Sequence, residues 1–140
     1  MQTKSLYAPL AVLGRSGLAS LFVLGGINKT LNFGDTQARM VEAGLGPAEI
    51  LLPATILLEL LGGLSLIYGH RASIYAAGAL CLFTLATNFW FHRFWQLEGD
   101  LAALELSLFF KNVAIAGALL FYAAAVRSMH ADVEPDQVPV

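Results

Sequence analysis

Four stretches of the chain are apolar with few interruptions. They run from about Tyr7 to Thr30, Pro47 to Gly69, Ala72 to Phe91 and Glu105 to Val126. A transmembrane helix takes about 20 mostly apolar residues, and each stretch meets that length. The pattern predicts an all-α integral membrane four-helix bundle, up-down-up-down. Between the first two spans, DTQARMVEAGLG reads as a short helix, capped by Asp35, ended by Gly44 and lying at the interface. Only His70 and Arg71 separate the second and third spans, so these form a tight antiparallel hairpin. HRFWQLEGD, residues 92–100, joins the third to the fourth. The polar, acidic tail from Ser128 carries two prolines and reads as disordered. Residues 1–127 remain as the transmembrane domain.

Prolines and aromatics refine this picture. Pro47 suits the first turn of a helix, where its missing N–H is not needed, and Pro53 predicts a kink near the start of the second span. The first span is too long for a signal peptide and lacks a charged n-region before a short apolar core, so it reads as a retained helix. With four alternating spans, Tyr7, Tyr68, Tyr75 and Tyr122 fall on the side that holds both termini, and Trp90 and Trp95 on the other. Tyr and Trp favour the two interfaces, so the span count is self-consistent. Lys4, Arg71 and Arg127 on the terminal side balance Lys29, Arg39 and Arg93 on the other. The acids Asp35, Glu42, Glu49, Glu98, Asp100 and Glu105 crowd the second side but weigh little. Both termini are expected in the cytoplasm.

Composition supports a membrane protein and removes several alternatives. The 140 residues are 57% hydrophobic and 13% charged, where soluble domains carry about a quarter charged residues. Mean hydropathy is +0.67. A net charge of −2 without a basic cluster gives no support for nucleic acid. The single cysteine, Cys81, excludes an internal disulfide, a CxxC redox pair and a cysteine zinc site; it reads as a small packing residue.

The ionisable residues inside the spans are the candidate chemistry. Arg15 lies eight residues from Tyr7, about 12 Å deep; Glu59 lies nine from Tyr68, about 14 Å; Lys111 lies eleven from Tyr122, about 16 Å. Each costs on the order of 2.5–3.5 kcal/mol alone at mid-membrane. Three groups at one depth are therefore expected to converge inside the bundle. Thr55, Gly62 and Gly63 share the face of Glu59, and small residues let helices approach closely. Two cations and one anion leave a surplus of +1, which suits an anion, a polar head group or the carbonyl of a quinone and favours its reduced, anionic form. Phe22, Phe109 and Phe110 are near enough to stack on a flat ring, although filling the core is their commoner use. A second polar group, Lys29, Asn88, His92, Glu49 and Glu105, falls near the far interface. Lys29 is expected to snorkel there, and His92 reads as an interfacial histidine rather than a ligand or proton carrier. The structural alternative is a cluster that only fixes helix register.

Several of these residues stand in motifs that resemble the DoxX family of small bacterial membrane proteins. The resemblance is carried by LGRSGLASLFVLGGINKTLNF in the first span and LLELLGGLSLIYGHRA in the second. HRFW near the end of the third and FFKNVAIAGALL in the fourth complete it, all in family order over residues 13–121. It implies a four-helix membrane bundle. The family takes its name from a subunit of a thiosulfate:quinone oxidoreductase, and some members are linked to thiol and oxidative-stress systems with soluble partners. Carried over residue by residue, the positions of interest are Arg15, Lys29, Glu59, His92, Lys111 and Asn112. Quinone-linked disulfide enzymes of this size use paired cysteines, which Cys81 alone cannot supply.

Three function classes follow. One is a quinone-associated accessory subunit of a membrane redox or oxidative-stress system, with no intrinsic cofactor and no autonomous catalytic motif. Another is a scaffold that recruits a soluble partner through the loops of the second side. The third is a small-solute or proton carrier, which four helices would form only as a homo-oligomer.

Overall fold

The computed structural model describes residues 3–131 and, among them, five α-helices and one 3₁₀ turn. The helices are α1 (Thr3–Leu31), α2 (Phe33–Glu42), α3 (Ala48–Tyr68), α4 (Ser73–Phe91) and α5 (Gly99–Ala131); the turn is Phe94–Gln96. Four of them, all but α2, are long and apolar enough to cross a membrane. Large apolar side chains such as Leu10, Leu24, Leu61, Leu82 and Phe121 point outward, as expected where the solvent is hydrocarbon. The four-helix membrane bundle is therefore the fold of the chain.

The helix ends show why the elements break where they do. Gly44 has φ 77°, and its N–H bonds to the Val41 carbonyl while that of Leu45 reaches Met40, which closes α2 as a glycine end does. Gly69 closes α3 with φ 66°. The start of α2 differs from expectation. Asn32, not Asp35, holds the cap position, without a side-chain cap bond, and Asp35 sits in the first turn beside the positive end of the helix dipole. Pro47 caps α3 rather than opening its first turn. The last helix is longer than expected at both ends: it starts at Gly99, and Ser128–Ala131 are helical. The rest of the expected tail, 132–140, lies outside the described residues, as do the side chains of Lys4 and Tyr7.

Packing divides the bundle into two close pairs. α1 lies along α3, α4 lies along α5, a smaller contact joins α3 to α4, and α1 barely meets α5. A β-carbon added at Gly63 would stand 2.9 Å from Val23 Cγ2 and 3.2 Å from the Ala19 carbonyl oxygen, and one at Gly26 would stand 2.8 Å from Leu60. Only glycine permits that approach. Gly62 makes the α3–α4 approach, against Leu80. The core runs through Ala19, Phe22, Leu66, Ala77, Leu80, Ala116 and Leu119, with Cys81 buried among them. Tyr122, expected as an anchor, is buried. Its hydroxyl donates to the Leu66 carbonyl at 2.9 Å and lies 2.7 Å from Ser73 Oγ, which donates to the His70 carbonyl at 2.6 Å. It thus ties α5 to the α3–α4 hairpin, while Tyr68 and Tyr75 are exposed at the same end.

Candidate functional site

The expected Arg15–Glu59–Lys111 cluster does not form. Glu59 is buried, and its partner is Lys29, whose Nζ donates to Oε1 at 2.9 Å and Oε2 at 2.8 Å. The geometry of two antiparallel helices explains this. Side chains lean toward the N-terminus of their own helix. Gly26 lies against Glu59 and Leu60, so Lys29 starts beyond Glu59 and leans back, while Glu59 leans forward to meet it. Gly25 leaves room for the carboxylate: a β-carbon there would sit 3.4 Å from Oε1.

Arg15 lies elsewhere because α1 extends further beyond the bundle than counting from Tyr7 assumes. It reaches Gly69, where any β-carbon would collide with its guanidinium. Gly69 is ten residues along α3 from Glu59, about 15 Å. Lys111 is exposed on the outer surface of α5 and has no hydrogen-bond or ionic partner among the described residues. Lys29 and Lys111 thus exchange the parts expected of them: Lys29 pairs inside, and Lys111 faces outward, where a lysine stem can run along apolar surface. The surplus of +1 disappears too, since one ammonium faces one carboxylate.

The second polar group loses Lys29 and Glu49, and its other members meet between α4 and α5. Asn88, fully buried, donates from Nδ2 to the Phe109 carbonyl at 3.2 Å, and Asn112 Nδ2 donates to Asn88 Oδ1 at 3.1 Å. His92 Nδ1 lies 2.7 Å from Glu105 Oε2. Glu49 is exposed and does not join them. Beside these, Phe109 packs edge-on against Phe89, Phe94 and Trp95. Phe22 is in the core and Phe110 is exposed, so none of the three phenylalanines expected to stack on a ring stands beside Lys29.

What does stand beside Lys29 is a cleft of about 270 Å³ between α2, α3 and α4. Its wall is almost wholly apolar and includes Met40, Leu51, Phe83, Trp90 and Phe91, with Lys29 as its charged member. Trp90 donates its indole N–H to the Ala43 carbonyl at 2.8 Å, pinning the end of α2 over the cleft. Met40 of α2 packs on Ala48, Leu52 and Ile56 of α3. The short helix is thus folded against the bundle and closes one side of the cleft. Part of the signal was present in the sequence: Met40 is one of the few large apolar residues of α2, with Phe33 and Val41, although only the structure shows that Met40 is the one buried.

A lysine ammonium has three donors. Two go to Glu59, and the third remains for whatever enters the cleft.

These features define a small integral membrane bundle with an intramembrane lysine–glutamate pair at the wall of an apolar cleft. A family model for DoxX matches residues 10–93, which hold most of α1 and all of α2, α3 and α4, with Arg15, Lys29, Glu59 and His92, and the chain belongs to the DoxX family. Lys111 and Asn112 lie beyond the matched segment. The chain is similar to two proteins of Escherichia coli strain K12. Inner membrane protein YqjF is 36% identical over 106 residues, 74% of this chain and 73% of the relative. Inner membrane protein YphA is 25% identical over 114 residues, 81% of each. No solved structure matches.

Proposed function

We propose that this protein binds a lipid-soluble molecule with an oxygen-bearing head in the Lys29 cleft, and that it serves as a quinone-associated accessory subunit of a redox or oxidative-stress system in a bacterial inner membrane. The orientation proposed with it has both termini in the cytoplasm. The observation that carries it is the free N–H of a lysine held by both oxygens of a buried glutamate, at the wall of an apolar cleft. At about 270 Å³ the cleft is slightly smaller than the roughly 300–1,000 Å³ usual for ligand sites, which fits a single ring with its tail left in the bilayer. Phe83, Trp90 and Phe91 suit a flat ring, and Lys29 suits a carbonyl oxygen.

A quinone bound there would supply the electron acceptor. The protein's own residues would orient it: Lys29 donates a hydrogen bond to the head, Glu59 fixes the direction of that bond, and α2 with Trp90 keeps water from the ring. Electrons would come from a partner protein. A neutral ion pair, unlike the surplus cation expected from sequence, favours a neutral head over an anion.

The test is quenching of Trp90 fluorescence by a short-chain quinone in a Trp95→Phe background. Wild type and Lys111→Met should bind alike, and Lys29→Met roughly tenfold or more weakly, the range of a hydrogen bond from a charged group. Ala86→Phe fills the cleft with the pair intact and should also abolish binding. Equal affinity in all four proteins, or none in wild type, refutes the reading and leaves the scaffold as the better account.

A further inference from the structure

The seam between α1 and α5 is the open side of the bundle, and toward the terminal side it widens into a groove of about 350 Å³. Leu10, Leu18, Phe121, Ala125 and Met129 line it, and Arg15 is its charged member. The groove follows the helix axes: Leu10 to Leu18 spans about 12 Å, and Ala118 to Met129 about 16 Å. It therefore runs along the membrane normal, as a lipid acyl chain does.

Arg15 is not satisfied by the described residues. Its Nε is shielded and has no hydrogen-bond partner, and no described carboxylate lies within ion-pair distance of it. A guanidinium carries five N–H donors in a fixed fork, and leaving such donors without acceptors in a partly buried site is costly. The C-terminal end of α3 is adjacent, since Gly69 touches the guanidinium, yet Arg15 makes no bond to its carbonyls. Tyr68, exposed beside Gly69, and Tyr75 mark the membrane interface at this level, and Arg15 leans toward that interface. Among the described residues Arg127 lies at the same end, and the nearest carboxylate along α3, that of Glu59, is about 15 Å away.

We infer that Arg15 holds the phosphate of an anionic phospholipid whose acyl chain lies in the α1–α5 groove. The planar fork matches two phosphate oxygens at once, and an apolar wall below an interfacial cation matches a lipid better than any water-soluble anion. This site is separate from the Lys29 cleft and does not depend on a quinone.

The experiment places the full chain in phosphatidylcholine vesicles doped with phosphatidylglycerol, extracts it gently and measures retained lipid by mass spectrometry. Phosphatidylglycerol should be enriched about fivefold over the bulk ratio, the factor expected of one arginine near an anionic head group. Arg15→Gln should bring the ratio down to bulk, Arg15→Lys should keep part of it, and Lys111→Met should leave it unchanged. Ala118→Phe fills the groove with Arg15 in place; it should lose the lipid and decides the matter if Arg15→Gln does not fold. A bulk ratio in wild type, or enrichment that survives both Arg15→Gln and Ala118→Phe, overturns the inference. So does enrichment abolished by inorganic phosphate, which would mark a free-anion site.

Discussion

The two helix pairs of this bundle are held together by different means. α1 and α3 approach through glycines, with Gly26 under Leu60 and Gly63 under Val23 and the Ala19 backbone, and they enclose one ion pair, Lys29–Glu59. α4 and α5 are joined by larger groups: Asn88 to Phe109 and Asn112, His92 to Glu105, and aromatic rings around Phe109. Gly78 and Gly117, on that second pair, have nothing within 4 Å of where a β-carbon would stand. Lipid offers no hydrophobic drive for helices to meet, so association depends on close packing or on polar side chains. The first pair relies mainly on close packing and keeps its one ionic contact beside a cleft. The second spreads polar contacts along the seam, where no single one dominates.

The largest effect should come from splitting the ion pair. Glu59→Leu leaves Lys29 without its carboxylate and should lower stability by about 3–5 kcal/mol, read as a fall in Tm in detergent. Glu59→Gln, which still accepts a hydrogen bond, should cost less. Adding Lys29→Met to Glu59→Leu should recover much of the loss, because replacing both charges removes the stranded one. A double variant no better than Glu59→Leu would mean that the pair contributes through shape rather than charge.

The next contrast is between glycines of the two pairs. Gly63→Ala should cost about 1–3 kcal/mol as an overpacking substitution, because the Ala19 carbonyl cannot move aside. Gly26→Ala should cost less, since its obstacle is the flexible Leu60 side chain. Gly78→Ala and Gly117→Ala should be neutral or raise stability by about 0.5–1 kcal/mol, the helix preference of alanine over glycine. Equal effects at all four positions would erase the distinction between the pairs.

Smaller again is the amide pair. Asn88→Leu should cost about 0.6–1.7 kcal/mol, the measured span for polar contacts between membrane helices, with Asn112→Leu at the lower end because Asn88 keeps its bond to Phe109. A loss as large as that of Glu59→Leu would show the second pair to be equally concentrated. Smallest is His92→Gln. Both partners of the His92–Glu105 contact are about a quarter exposed, so at most about 1 kcal/mol should be lost.

Much of this was legible in the chain itself. Four apolar stretches of bilayer length require helices, because backbone polar groups in hydrocarbon have to be satisfied within their own segment. The glycines that close α2 and α3 were legible for a similar reason: the left-handed turns at Gly44 and Gly69 are made by local backbone. The paired glycines after Glu59 pointed correctly to a tight contact, and Asn88, His92 and Glu105 to a shared neighbourhood. That Glu59 needs a cation also follows from sequence, since a lone carboxylate at that depth is costly.

Which cation it meets was decided by the tertiary structure alone. Depth counted from Tyr7 set Arg15 level with Glu59, but nothing local fixes how far α1 slides along α3. The glycine contacts fix it, and they bring Lys29 to Glu59 and Arg15 to Gly69. Rotation about the helix axis is equally non-local: α5 is apolar on every side, so its sequence offers no stripe to show that Asn112 turns toward α4 while Lys111 turns outward. The sequence therefore determined the helices, their ends and the need for charge pairing, all matters of local backbone and solvation. Axial shift and rotation, which choose the partners and open the cleft, arise only when surfaces distant in the chain interlock.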